Sequence, residues 1–143
     1  MRIILREKGI EYPACDAPRI KTPEDAVKQA PEIMESETEA FGVILLNAQN
    51  KMISCEIVTT GIIDASLVHP REVFRSAISH NACGMVLLHK HPSGDPTPSA
   101  DDIRVTKQLI EAGRIVDIKV LDHVILSHEG RHISLREEGI CRF

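Results

Sequence analysis

The segment Gly84-Met85-Val86-Leu87-Leu88-His89-Lys90-His91 constrains this chain more than any other. Its near-continuous apolar run suits a strand buried on both faces, which places it at the centre of a sheet. The run ends in two histidines and then in Pro92-Ser93-Gly94-Asp95-Pro96-Thr97-Pro98, where three prolines and one glycine in seven residues exclude a helix and stiffen the loop. Residues i and i+2 of a strand project to the same face, so His89 and His91 can present two imidazoles to one ion at the strand's end.

Ser99-Ala100-Asp101-Asp102 then opens a helix expected to run to about Ala112, with Ile103, Val105, Leu109 and Ile110 apolar and Gly113 as its stop. The rigid loop can fold the Asp102 carboxylate back towards the histidines. Two imidazoles and one carboxylate leave the fourth position of a tetrahedral zinc ion open, the pattern of catalytic rather than structural sites. A simpler explanation stands beside this one. Ser99 and Asp102 are spaced as a capping box, so N-capping alone accounts for both, and the two roles are compatible.

The flanking segments read as follows. Thr22 caps a short helix that begins at Pro23 and meets Pro31, and Met1 to Arg6 forms an edge strand. Glu32, Glu35, Glu37 and Glu39 read as a solvated approach segment. Phe41-Gly42-Val43-Ile44-Leu45-Leu46 and Lys51 to Thr59 make a hairpin about a turn at Asn47 to Asn50, with Glu56 in mid-strand. His69-Pro70-Arg71-Glu72 opens a helix whose apolar face is Val73, Phe74, Ala77 and Ile78. Val116 to Ser127 holds one or two strands, and Gly130-Arg131 marks a turn before the last strand. The order fits one mixed α/β (α+β) layer structure, a sheet flanked by helices, with residues 1–40 as an N-terminal extension and 41–143 as the domain.

A chain of 143 residues supports one modest core, and with aromatics at 3% and no Trp that core must be aliphatic. The net charge of −4 gives no general attraction to nucleic acid or to an anionic membrane. No apolar run approaches the roughly 20 residues needed to cross a bilayer, and no export signal is apparent, so a cytoplasmic location is expected. Cys15, Cys55, Cys83 and Cys141 form no CxxC pair; all four read as reduced thiols, with Cys55 and Cys83 packed in the core.

His89-Lys90-His91, Ser99 and Asp102 together reproduce the HxHx(7)SxxD signature of the JAMM (JAB, MPN-plus) metalloproteases. Pro70-Arg71-Glu72-Val73-Phe74-Arg75, His89 to Ser99, and Leu121-Asp122-His123 resemble the C-terminal domain of the RadC branch over roughly residues 40–143. The resemblance implies a cytidine-deaminase-like JAB/MPN fold, with Zn2+ held by His89, His91 and Asp102, a glutamate from an earlier strand as general acid/base, and Ser99 assisting the oxyanion. Glu56 stands where that pattern has its glutamate. Glu72 is the competing choice, although it also serves as a first-turn acid complementing the helix dipole. Ser93, Asp95 and Thr97 read as turn formers, His69 as a residue ordering its turn, and a hydrogen bond from His123 or Asp122 to a ligand as the lesser alternative to structural roles. Lys90 departs from the usual Asn, but strand alternation points it away from the histidines.

The expected function is zinc-dependent hydrolysis of a peptide or isopeptide amide bond. Nucleic-acid action is the second class: the RadC resemblance carries a DNA-repair association, and Arg104, Lys107, Arg114 and Lys119 offer a local basic patch, against which the acidic total counts. The third class is a non-catalytic module that binds metal, docks an extended peptide on a sheet edge, or pairs with a second copy of the chain.

Overall fold

The computed structural model describes residues 17–30, 33, 35–61 and 68–143. The expected strand at Met1 to Arg6, together with Cys15, Pro31 and Glu32, lies outside the described residues. In chain order the elements are α1 (Pro23–Lys28), β1 (Ala40–Leu46), β2 (Met52–Thr60), α2 (Pro70–Ser79), β3 (Gly84–His91), α3 (Ala100–Val116), β4 (Lys119–Ser127) and β5 (His132–Ser134). The strands form one sheet in the order β2-β1-β3-β4-β5. β1 is antiparallel to β2 and β3, β3 and β4 run parallel with α3 as the crossover, and β5 returns antiparallel to β4. This is the mixed sheet flanked by helices that the sequence pattern implies.

β3 is central and covered on both sides, as its continuous apolar run requires. On one face Phe41, Val43, Leu45, Met85, Leu87 and Ile125 pack beneath α2 and α3, which contribute Val73, Phe74, Ala77, Val105 and Leu109. On the other, Ile44, Leu46, Val86, Leu88, Val124 and Leu126 meet Ile20, Ala26, Ala30 and Ile33 from the segment around α1. The alternation of β1 and β3 thus sorts side chains between two cores, and it assigns His89 and His91 to the α2/α3 face and Lys90 to the α1 face.

Helix starts follow their local chemistry. Thr22 and Asp25 form a capping box at α1, and Ser99 and Asp102 form one at α3. His69 is the N-cap residue of α2 but its side chain makes no capping bond; Pro70 at the first position sets the turn instead.

Three local expectations are corrected. Gly113 does not stop α3, which continues to Val116 and is capped by Asp117 in the left-handed conformation at φ 58°. Gly113 is small for a different reason, because the returning chain brings the Ile118 carbonyl and Val120 against it. Ile78, expected on the buried face of α2, is 58% exposed. Cys83 lies in the exposed turn before β3 rather than in the core; Cys55 is half-buried and Cys141 buried.

Candidate metal centre

Three elements converge at the C-terminal end of β3. The strand supplies His89 and His91, the proline-rich loop reverses the chain, and the first turn of α3 supplies Asp102. Its Oδ2 accepts the Ser99 backbone N–H at 2.7 Å, while Ser99 Oγ accepts the Asp102 N–H at 3.0 Å. The capping box therefore fixes the carboxylate rather than competing with it for a role. Asp102 Oδ2 lies 3.1 Å from His91 Nε2, and Asp102 Oδ1 lies 2.9 Å from His89 Nδ1.

The ligand atoms that His89, His91 and Asp102 offer all lie within 4.8 Å of one another. A tetrahedral zinc with bonds near 2.0 Å holds its ligand atoms about 3.3 Å apart, so small side-chain adjustments would close these three onto a divalent ion. The histidines are prepared for it in different ways. His91 donates from Nδ1 to the Asp95 carbonyl at 3.3 Å, leaving Nε2 to face the carboxylate. His89 is buried, and among the described residues neither of its ring nitrogens has a hydrogen-bond partner, because its short approach to Asp102 is off line for one. An unpartnered ring nitrogen facing a carboxylate fits a metal ligand.

Burial opposes ionisation of Asp102, but His89, His91 and the Ser99 N–H outweigh it and hold the carboxyl far below the usual carboxylate range. The hydrogen bond with Asp102 raises His91 above its ordinary value against the effect of burial. His123, in the floor of the same site, is pushed down to about 3 by burial and by the neighbouring His89.

The cluster opens onto a cavity of about 370 Å³ whose walls include Glu39, Phe41, Val68, Ser99, Asp101 and His123. Glu56 is not among them. The β1–β2 register sets Glu56 opposite Val43, whereas His89 stands opposite Phe41 on the other side of β1. Glu56 is thus two strands from His89, about 10 Å across the sheet. Its Oε2 accepts hydrogen bonds from Ser54, at 2.9 Å, and from Ser76, and it lines a separate cleft with Ser79 and His80. Glu56, expected at the metal, thus lines a cleft separate from the His89–His91–Asp102 cluster. Glu39, which immediately precedes β1, does line the cavity, as does Asp101. Glu39 belongs to the acidic run expected to face solvent. Strand parity carried the signal, since 39, 41 and 43 share a face and that face is the one His89 occupies.

The remaining residues of the loop hold the backbone. Asp95 Oδ1 accepts from Thr97 N at 2.9 Å, Arg131 donates to the Gly94 carbonyl at 2.5 Å, and the Ser93 carbonyl accepts from His128 N at 3.3 Å. Asp122 points to the other face, where it accepts from Ser134 Oγ, His123 N and Arg136 N. Glu72 sits in the first turn of α2, exposed, lining the Glu56 cleft. Lys90, buried on the α1 face, donates to the Ser36 carbonyl at 2.5 Å. Arg104 pairs with Asp101 and Arg114 with Glu111, while Arg114 and Lys119 lie towards the far end of α3 from the cluster.

A mixed sheet with two histidines at the end of its central strand and a carboxylate on the next helix defines a domain equipped to hold a divalent metal in a partly open cavity. Residues 20–140 match the family model of the RadC-like JAB domain, and the chain belongs to that family. It is 50% identical over 143 residues to the UPF0758 protein TTE0897 of Caldanaerobacter subterraneus subsp. tengcongensis, covering 99% of this chain and 58% of that protein. It is 50% identical over 111 residues to the UPF0758 protein STH371 of Symbiobacterium thermophilum, 78% of this chain and 47% of the relative. With the UPF0758 protein Mbar_A2303 of Methanosarcina barkeri it shares 44% over 112 residues, 78% and 48% respectively. The chain therefore spans about half the length of these relatives. Among the described residues no helix is long and apolar enough to cross a membrane.

Proposed function

We propose that the domain is a zinc-dependent hydrolase of amide bonds in a peptide or isopeptide substrate, with His89, His91 and Asp102 as ligands and Glu39 as general acid/base. The observation that carries this reading is the placement of the three ligand atoms within 4.8 Å of one another in a cavity that Glu39 and Ser99 also line. Zinc held there would supply a Lewis acid for the carbonyl and a lowered pKa for a bound water. Glu39, lining the same cavity, would accept a proton from the attacking water and deliver it to the departing amine. Ser99 spends only an oxygen lone pair on the helix cap, so its hydroxyl hydrogen is available to the carbonyl oxygen as negative charge develops. A cytoplasmic setting, with Cys55, Cys83 and Cys141 as free thiols, belongs to the same reading.

The test compares Glu39→Gln with Glu56→Gln in zinc-loaded protein, using a mixed peptide and isopeptide library read by mass spectrometry, with single- and double-stranded DNA in parallel. Glu39→Gln should keep its zinc and lose amide turnover, while Glu56→Gln keeps both. Cleavage of DNA alone, or loss of turnover on Glu56→Gln with Glu39→Gln unaffected, would overturn the assignment.

A further inference from the structure

The loop after β3 carries the acceptor that orients one of the histidines: His91 Nδ1 donates to the Asp95 carbonyl at 3.3 Å. Most of that loop is exposed, and its internal bonds, between Ser93 and Asp95 and between Asp95 and Thr97, only fold it on itself. What ties it to the sheet is the turn between β4 and β5. His128 N donates to the Ser93 carbonyl at 3.3 Å, and Arg131 Nη2 donates to the Gly94 carbonyl at 2.5 Å. Among the described residues, Arg131 supplies the one side chain from outside the stretch His91 to Pro98 that bonds its backbone.

Arg131 is itself anchored beside the ligand. Ser127 is fully buried and pairs with His91 in the parallel β3–β4 ladder. Its backbone N–H donates to the Arg131 carbonyl at 2.8 Å, and its hydroxyl accepts the Arg131 N–H at 3.1 Å. The contacts close a ring: from His91 to Ser127 across the ladder, to Arg131 across the turn, to Gly94 through the guanidinium, and along the loop to the Asp95 carbonyl that meets His91 again. A guanidinium on a carbonyl makes a charge-assisted bond, stronger than a neutral one. The close approach of turn and loop also suits Gly94, where an added Cβ would come within 3.3 Å of the Glu129 carboxyl group.

Two effects of Arg131 on a bound cation differ in sign. As a positive charge near the loop it repels a divalent ion, so its removal on that account strengthens binding. As a brace for the acceptor of His91 it limits the freedom the ring must lose on ligation, so its removal on that account weakens binding. The guanidinium is exposed and its long-range field is screened by water and salt, whereas the brace acts through direct bonds.

We infer that Arg131 is a positioning residue for the metal centre: from the turn between β4 and β5 it holds the Gly94 carbonyl and, through the loop, the Asp95 carbonyl that orients His91. The inference rests on the reading of His89, His91 and Asp102 as zinc ligands and adds what keeps one of them in place. Arg131 acts only through the loop and touches neither metal nor substrate.

The experiment is zinc competition against a chromophoric chelator on the full chain, comparing wild type, Arg131→Ala, Arg131→Lys and Arg114→Ala, with the unfolding midpoint of each metal-free protein measured alongside. Arg131→Ala should bind zinc about tenfold more weakly, the lower end of what loss of an outer partner of a ligand costs, with its midpoint close to that of wild type. Arg131→Lys, which keeps a cationic donor, should recover most of the affinity. Arg114→Ala removes a surface cation at the far end of α3 and should bind zinc as wild type does. Zinc binding by Arg131→Ala as tight as that of wild type or tighter, an equal loss in Arg114→Ala, or no recovery with Arg131→Lys would overturn the inference. Wild type that binds zinc but cleaves no amide would strike the proposed hydrolysis and leave this comparison intact, whereas wild type that binds no zinc would overturn both.

Discussion

Ala40 pairs with Lys90 across the β1–β3 ladder, and the residues just outside that pair, Glu39 and His91, line one cavity. A register slip of one residue would turn Glu39 to the α1 face. The packing of Ile33 and Ile44 on that face works against such a slip, so the second core helps align the site on the first.

Separating the two duties of the Ser99–Asp102 box gives the first prediction. Ser99→Ala removes the cap oxygen from Asp102 N and should cost about 1 kcal/mol of stability while leaving metal bound. Asp102→Ala should lose the reciprocal bond to Ser99 N and the metal together. Denaturant midpoints and metal content, measured on the same samples, check both halves.

Metal affinity should fall in acid from a point above pH 6.5. The Asp102 hydrogen bond raises His91 above its ordinary value, so His91 gives up its proton less readily and that proton competes with metal as the pH falls. Binding on the acid side of neutrality should release protons, visible as a buffer-dependent heat in calorimetry. His91→Ala should abolish that release along with tight binding; a buffer-independent heat in wild type would contradict the pairing.

His123 predicts acid sensitivity of the fold itself. Its folded value is about 3 against an unfolded value of 6.5, so below pH 6.5 the unfolded chain binds a proton that the native state excludes. Stability should decline as pH falls from about 6.5 towards 3, by up to roughly 1.4 kcal/mol per pH unit from this group alone. Urea unfolding of wild type and His123→Phe across that window should differ in slope by close to one proton. Parallel slopes would mean that His123 titrates normally in the native state.

Gly113→Ala isolates a packing effect remote from the site. An added methyl group meets the Ile118 carbonyl and comes within 3.4 Å of Phe74 Cζ. The gain in helix propensity is at most about 1 kcal/mol, smaller than the overpacking cost of about 1–3 kcal/mol, so the variant should be less stable with its metal affinity unchanged.

These outcomes mark the boundary of what the sequence disclosed. The central strand, the paired histidines and the capped helix were legible because each rests on local rules: continuous hydrophobicity, period-two alternation and the S-x-x-D cap. Glu39 was hidden because choosing between it and Glu56 requires the pairing register of β1 with both neighbours, which no single strand encodes. Gly113 misled for a related reason. A glycine near a helix end looks like a stop, but here Asp117 ends the helix and the glycine makes room for Ile118 on the returning chain.

The central claim is that His89, His91 and Asp102 together hold one divalent ion. Metal content after dialysis against free zinc, by mass spectrometry of wild type beside His89→Ala and Asp102→Ala, tests it most directly. Near one equivalent in wild type and a small fraction of that in both variants is the predicted result. Equal zinc in all three proteins, or none in a folded wild type, would contradict it.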